Sequence, residues 1–371
     1  MEQRLNNYKS IISIQVLRAT AFLFIFASHS LVADDSFSRW GVAVFFILSG
    51  FLNALHDYDK DLKCDFKSSL LYAVKKIKKI YGLHLVMTLV ALALWIVSNI
   101  DDYRANMTSS VIVTMLKLLT NILLISDLLP SSGTIGLVFS EYNIVTWYLS
   151  ASLVFYILTP IIIELTKKID KVFTASVLLW LSTIVIDLAF INVLGISRSF
   201  WYIYECPLFR ISDYIIGIQM GYWIATHKSL GKTGDAFNGR IWHLILVLGT
   251  VSSMLLLYIA CGLDENYRWL MNSGFYFTIP AVLTIIALTA LDGKFSDEIY
   301  KSRILKCFVF IGNISAYAYL IHVPVINLIH GVYKRVGDVN VIIWGVISFV
   351  VTMAFSALVS KMMGSKKAVN G

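Results

Sequence analysis

Apolar positions in this chain come in long uninterrupted runs, not in the strict alternation of a half-buried strand or the narrow stripe of a soluble helix. Eleven runs can be marked, at about 11–33, 38–56, 80–98, 111–129, 144–165, 172–194, 207–226, 241–262, 271–291, 306–330 and 341–362. Each is long enough to cross a hydrocarbon core of about 30 Å as a helix. The pattern predicts an all-α fold: a polytopic membrane helix bundle of about ten transmembrane helices plus one re-entrant or interfacial helix. The longest hydrophilic stretch, Asp57–Lys79, reads as a connecting loop and helix entry. Residues 1–371 are therefore expected to form a single membrane-embedded domain.

Lysine and arginine decide the predicted orientation. Asp57–Lys79 carries seven lysines, which assigns it to the cytoplasmic side. The N-terminus then lies inside and the Asp34–Arg39 loop outside. Lys167, Lys168 and Lys171 mark a second inner loop, which leaves the run at 111–129 no crossing to make. That run carries Lys117, Asn121 and Asp127, and it is expected to turn back on the outer side. Ten crossings remain, with both termini cytoplasmic. In this arrangement 22 Lys/Arg lie inside and seven outside, with Arg18 and Arg210 within spans. Only the Lys334/Arg335 loop runs against the bias.

Composition agrees: 58% of residues are hydrophobic and 15% charged, well away from ordinary soluble domains. A net charge of +8 would suggest nucleic acid in a soluble protein. Here inner-loop lysines account for it, and the expected partner is the lipid bilayer, with no nucleic acid. Four cysteines, Cys64, Cys206, Cys261 and Cys307, lack metal-ligand spacing, so no metal site is expected. Cys206 and Cys261 both fall near the outer face, where a disulfide is open to them. Arg18 interrupts the first run, which argues against a cleaved signal peptide.

Ionisable groups inside a bilayer are costly and usually mark function. The first run, QVLRATAFLFIFASHS, holds Arg18 and His29, eleven residues apart. Eleven steps of a helix make three turns plus about 20°, so both project from one face, separated by roughly 16 Å along the axis. Snorkelling to the headgroups would explain Arg18 alone, and interfacial water would explain His29 alone. Their shared face favours a pathway with a substrate group near each. Arg210 and Asp213, at i and i+3, are placed to pair with each other or to touch substrate. His322 lies mid-span beside Tyr317 and Tyr319, where a hydrogen bond between helices is the plainer reading. His84 and Lys79 fall near the inner surface, within reach of a donor or of lipid headgroups. Trp147, Trp201 and Trp269 fall near predicted outer boundaries and read as an interface belt, with stacking on a sugar as a second use.

An arginine, ten residues, a histidine and then a span reading GVAVFFILSGFL (Gly41–Leu52) resemble the acyltransferase-3 family of integral membrane enzymes. WYLSASLVFYILTP (Trp147–Pro160), FRISDYIIGIQMGY (Phe209–Tyr222) and IGNISAYAYLIHVPVI (Ile311–Ile326) are similar to later family spans, in the same order. Two departures stand out. Ser152 and Leu153 occupy positions where many relatives carry glutamates. KKIKKIYGLH, with Lys78, Lys79 and Gly82, replaces an arginine before Ile-Tyr-Pro; lysine keeps the charge but not the bidentate fork.

The resemblance implies a membrane O-acyltransferase, more narrowly an O-acetyltransferase, working in a bacterial inner or plasma membrane as a multi-pass protein. It implies acyl-coenzyme A, acetyl-CoA first among donors, as a substrate and not a permanent cofactor, and a surface or secreted carbohydrate as acceptor. His29 is then the catalytic base or a transient acyl carrier, and Arg18 holds an anionic part of the donor. Asp34 or Asp35 is placed to orient the imidazole. Substrate contacts are expected from Arg210, Trp147, His322 and Lys79. A transporter or flippase for a polysaccharide or lipid-linked sugar also suits an interior Arg/His stripe, although few prolines and no repeat count against it. A purely structural subunit would leave Arg18 and His29 dispensable.

Overall fold

The computed structural model describes residues 11–130, 138–229, 239–292, 297–336 and 340–369. The first hairpin is α1 (Ile12–His29) and α2 (Asp35–Asp57), followed by the long α3 (Phe66–Ser98). Short α4 (Ile100–Ala105) leads to α5 (Met107–Ile122), and two 3-10 turns (Ser126–Leu128 and Glu141–Thr146) lead to α6 (Trp147–Lys167). Next come α7 (Val172–Leu194), short α8 (Ile196–Phe200), a π-helical turn (Trp201–Glu205) and α9 (Pro207–Ser229). The chain ends with α10 (Gly239–Cys261), α11 (Trp269–Asn272), α12 (Thr278–Leu291), α13 (Asp297–Lys301), α14 (Arg303–Val336) and α15 (Val341–Val369). No strand occurs among the described residues.

Among the described residues, eight helices are long and apolar enough to cross a membrane: α1, α2, α3, α6 with the turn before it, α7, α10, α14 and α15. The other two predicted crossings fall on α9, which is long but carries Arg210, Asp213 and Gln219, and on α12, an apolar helix of 14 residues. The protein is thus an all-α polytopic bundle. The first ten residues and the side chains of Lys334 and Arg335, used in assigning sides, lie outside the described residues.

Side-chain caps open two of the long helices. The Asp34 carboxylate accepts from the Ser36 amide (2.9 Å) and Asp65 from the Ser68 amide (3.0 Å), satisfying donors that a helix start leaves free. The core is built around α2, whose most apolar window is 78% buried against 11% for α7. α7 therefore turns most of its leucines and valines outward, as a lipid-facing helix does.

Lipid is as apolar as leucine, so close packing replaces the hydrophobic effect as the glue between spans. The seam between α2 and α9 shows this. A Cβ on Gly50 would overlap the Tyr214 carbonyl, one on Gly217 the Ile47 carbonyl, and one on Gly221 the Phe51 carbonyl. Gly312 of α14 meets the Gln15 carbonyl of α1 in the same way.

α5 does not cross. It lies back along α3, where the Tyr81 hydroxyl donates to the Ile122 carbonyl (2.8 Å) and the His84 ring meets the Asn121 carbonyl (3.0 Å). The segment before α6 then lies beside α5, with Tyr142 bonded to Thr114 (3.1 Å) and Thr146 to Asn121 (3.0 Å). Lys117, buried on α5, is paired with Glu141. The polar residues that disqualified this run as a span are the ones that dock it.

Two expectations fail here. Cys206 and Cys261 remain free thiols; Cys206 is buried in the core, while Cys261 lies 3.4 Å from the Ser36 hydroxyl. Trp147 and Trp201 are each only 6% exposed, so they pack inside the protein and do not form a belt at the lipid interface.

The glycine seam predicts a contrast of sign. Gly217→Val should lower the melting temperature of the detergent-purified protein sharply, since overpacking costs about 1–3 kcal/mol or more. Gly82→Ala, where an added methyl meets nothing within 4 Å, should hold or gain up to about 1 kcal/mol of helix propensity. Equal melting of the two variants would refute the seam.

Candidate active site

The two predicted catalytic residues stand in different surroundings, Arg18 in a cavity and His29 against another histidine. Arg18 of α1 lines a cavity of about 260 Å³ with Ser49 and Asn53 of α2, Tyr148, Ser152 and Tyr156 of α6, and Ser315 and Tyr319 of α14. It is half-buried, and what it leaves open is cavity wall. It has no carboxylate partner among the described residues. A cation without an internal counter-ion, in a largely apolar cavity with a few hydroxyls and one amide in its wall, is a site prepared for an anion from outside. Ser152, one of the departures from the family pattern, lies on this wall with its hydroxyl bonded to the Tyr148 carbonyl (2.7 Å).

His29 and His322 form a pair. His29 Nδ1 lies 2.8 Å from His322 Nε2. The rings are within 10° of parallel with centroids 5.1 Å apart, the separation of two coplanar rings meeting edge to edge through one hydrogen bond. His322 Nδ1 lies 2.8 Å from the Tyr319 carbonyl. A carbonyl only accepts, so His322 carries its proton on Nδ1 and presents a bare Nε2. His29 must then donate from Nδ1, which leaves its own Nε2 with a free lone pair. The tautomers follow from the hydrogen bonds. His322 is wholly buried and wedged between Phe22 (5.9 Å) and Phe26 (6.1 Å), which hold the imidazole in place. Tyr319 lines the Arg18 cavity and packs on His322 (5.8 Å), standing between the two halves of the site.

The orienting partner of His29 is therefore His322, and not Asp34 or Asp35. Asp34 caps α2 and pairs with Arg268 at 2.5 Å. Burial alone would raise its carboxyl, but the Ser36 amide and the Arg268 guanidinium hold it below the usual carboxylate range. Asp35 faces Arg39 at 3.7 Å, and Arg39 itself lies over the Tyr204 ring at 3.9 Å.

The remaining candidates are scattered. Arg210, 2% exposed, pairs with Asp213 at 2.8 Å and donates to the Asn272 carbonyl (3.0 Å). The ion pair is close but poorly aligned, leaving Asp213 Oδ2 and two guanidinium nitrogens without a formed hydrogen bond. Trp147 packs on Tyr204 (4.9 Å) and Phe46 (5.8 Å). His84 is fully buried against α5. Lys79 is exposed, apart from the cavity.

Lys76 was missed by sequence reasoning. Its ammonium donates to Asn53 (2.7 Å), a cavity residue whose amide donates in turn to the Tyr214 hydroxyl (2.8 Å). It also lies 3.9 Å from Asp57, which binds Lys60 (2.5 Å) and Tyr72 (2.8 Å). A polar chain thus joins the Arg18 cavity to the lysine-rich end of the bundle. Helical phase carried the signal. Ser69, Ala73 and Ile77 are buried at four-residue spacing, which puts Lys76, and not Lys79, beside the packed stripe.

The acyltransferase-3 family model, described as an acyltransferase domain, matches residues 11–361. The chain is 26% identical over 347 residues to the acyltransferase MdmB of Streptomyces mycarofaciens, covering 86% of this chain and 79% of that protein. It is 22% identical over 325 residues to provisionally named O-acetyltransferases of Staphylococcus aureus strains COL and N315, covering 85% of this chain. It spans about half (51%) the length of those staphylococcal relatives. No solved structure matches at a significant level.

The tautomers are testable by ¹⁵N-histidine NMR on the purified protein. His29 and His322 should both resonate as Nδ1–H imidazoles, and His322→Ala should return His29 to a mixture. An Nε2–H signal from His29 in the unsubstituted protein would overturn the assignment.

Proposed function

Because the chain belongs to the acyltransferase-3 family and is a membrane acyltransferase, we propose that it moves an acyl group, acetyl foremost, from acyl-coenzyme A to a hydroxyl of a surface or secreted carbohydrate. The observation that carries this reading is the free lone pair on His29 Nε2, set by His322, one cavity away from an unpaired arginine. The names of the staphylococcal relatives favour acetyl among acyl groups.

In the proposed reaction the lysine-rich end faces the cytoplasm, and acyl-coenzyme A enters there. Lysines draw in its phosphates as point charges, and Arg18 holds an anionic part of the donor inside the bundle. The acyl arm then passes Tyr319 to reach His29. The acceptor hydroxyl oxygen attacks the thioester carbonyl while His29 Nε2 takes the hydroxyl proton. The positive charge this puts on His29 is shared through Nδ1–H with His322, whose own Nδ1 proton stays donated to the Tyr319 carbonyl. When the tetrahedral intermediate collapses, the C–S bond breaks and the thiolate recovers the proton from His29. The products are an ester and free coenzyme A. His322 is thus a positioning residue, since it acts through His29.

The multi-pass architecture and the bias of lysines to one side fit residence in the cell membrane with both termini inside. His29→Ala should lower acyl transfer about 10²–10⁴-fold, the usual contribution of a placed base. His322→Gln, which keeps an acceptor for the His29 Nδ1–H, should retain more activity than His322→Ala. Arg18→Ala should raise the donor KM. The measurement is O-acyl content of host surface carbohydrate at matched membrane levels, together with acyl-CoA turnover by purified protein. Unchanged acylation with failed polymer export in the Arg18 and His29 variants would sink the enzyme reading and support a flippase.

A further inference from the structure

A second, larger concavity of about 680 Å³ opens at the end of the bundle away from the lysines, within the range of small-ligand sites. Its walls are the last turns of α3 and α14, and its floor is the 3-10 segment before α6. Trp95 and Tyr142 meet there edge to face, with centroids 5.5 Å apart. Around them stand Asn99, Glu141, Asn327 and His330.

A groove that merely faced lipid would be lined by apolar groups, because hydrocarbon leaves polar atoms unsatisfied. This one offers a carboxylate, two amides and an imidazole beside the half-buried Trp95 ring, which the buried Tyr142 backs. Glu141 is held in place by Lys117, which is itself buried, and keeps over a third of its side chain open. Asn99 donates one amide proton to the Trp95 carbonyl (2.8 Å) and keeps its oxygen as an acceptor. Asn327 is exposed. An aromatic platform with hydroxyl-binding groups at its rim suits a pyranose, whose apolar face stacks while its edge hydroxyls donate and accept.

The groove is mechanically tied to the histidine pair. Pro324 has no N–H, which frees the carbonyl four residues earlier, at Leu320. Asn143, from the groove floor, donates to that carbonyl at 3.1 Å. Floor and histidine-bearing turn are therefore braced together. His330 lies two turns beyond His322 on α14, about 12 Å along the axis, too far for one sugar ring to touch both.

We infer that this groove is the acceptor subsite, and that it binds an oligosaccharide by a sugar unit remote from the one that is acylated. The inference rests on the carbohydrate reading above. It predicts that longer acceptors outperform monosaccharides and that groove substitutions act on acceptor binding alone.

The test uses full-length His29→Ala protein in nanodiscs, so that binding is read without turnover. Glucose and N-acetylglucosamine oligomers of one to six units, and oligomers cut from the host's own surface polysaccharide, are titrated by calorimetry. At least one series should bind tenfold or more tighter as oligomer than as monomer. Trp95→Ala and Asn327→Ala should weaken that binding at least tenfold, and Trp95→Phe, which keeps a ring, should restore most of it. In the otherwise unsubstituted enzyme, Trp95→Ala should raise the acceptor KM at least tenfold and leave the donor KM unmoved. Absence of saturable binding by every oligomer overturns the groove, as does binding indifferent to Trp95 and Asn327, or a change in donor KM. Those failures, seen while His29-dependent acylation persists, would leave the enzyme reading standing. Loss of oligomer binding is thus separable from loss of acyl transfer.

Discussion

The Leu320 carbonyl, which Pro324 leaves without its usual partner inside α14, needs another donor. Hydrocarbon makes an unpaired backbone group costly, and Asn143 meets the need from another part of the chain. One turn of α14 thereby becomes the point where the site is assembled. Its Tyr319 carbonyl sets the tautomer of His322, and His322 sets that of His29. Phe22 and Phe26 of α1 enclose the same imidazole, so the helix that carries His29 also holds its partner.

The bundle treats its intramembrane arginines in opposite ways. Arg210 is sealed with Asp213, and that carboxylate also accepts from Thr278 (2.6 Å). The result is a neutralised cluster that binds α9 to the start of α12. Breaking such a pair from one side leaves a buried charge and costs about 3–5 kcal/mol, which suits a structural post. Arg18 is given a cavity with three tyrosines in its wall instead of a carboxylate. Its desolvation is only partly offset within the protein, and the remainder is available to a ligand. The difference lies in the partner, since both residues are arginines on apolar helices.

Family departures also find a place. Ser152, one of the two positions where the resemblance leads us to expect a glutamate, stands on the cavity wall, so no carboxylate there claims Arg18. On α3 the cation that reaches the cavity network is Lys76, through Asn53. Its partners Asn53 and Asp57 lie at the C-terminal end of α2 and are buried, whereas Lys79 is exposed. The network beside the cavity is thus built on a hydrogen-bonded point charge and not on the planar fork of an arginine.

Span by span, hydropathy determined the fold class, because a helix that satisfies its own backbone is the only open structure the hydrocarbon accepts. Charged residues in the run at 111–129 were enough to tell that α5 turns back, since Lys117 could not be left in lipid. Arg18 and His29 were legible for the same reason, as costly groups on one face of one helix. What the chain alone left undecided was partnership. Nothing in the spacing of His29, Asp34 and His322 says which of the last two meets the imidazole, because they are joined only when α14 packs beside α1. For Arg210 the i, i+3 spacing to Asp213 left pairing and substrate contact both open, and the fold closes the pair. Trp147 reads as a belt residue until α2 and the π-helical turn cover it. Residues far apart in sequence acquire their roles through contact, and contact is decided by the close approach of backbones at Gly50, Gly217, Gly221 and Gly312, which no single helix reveals.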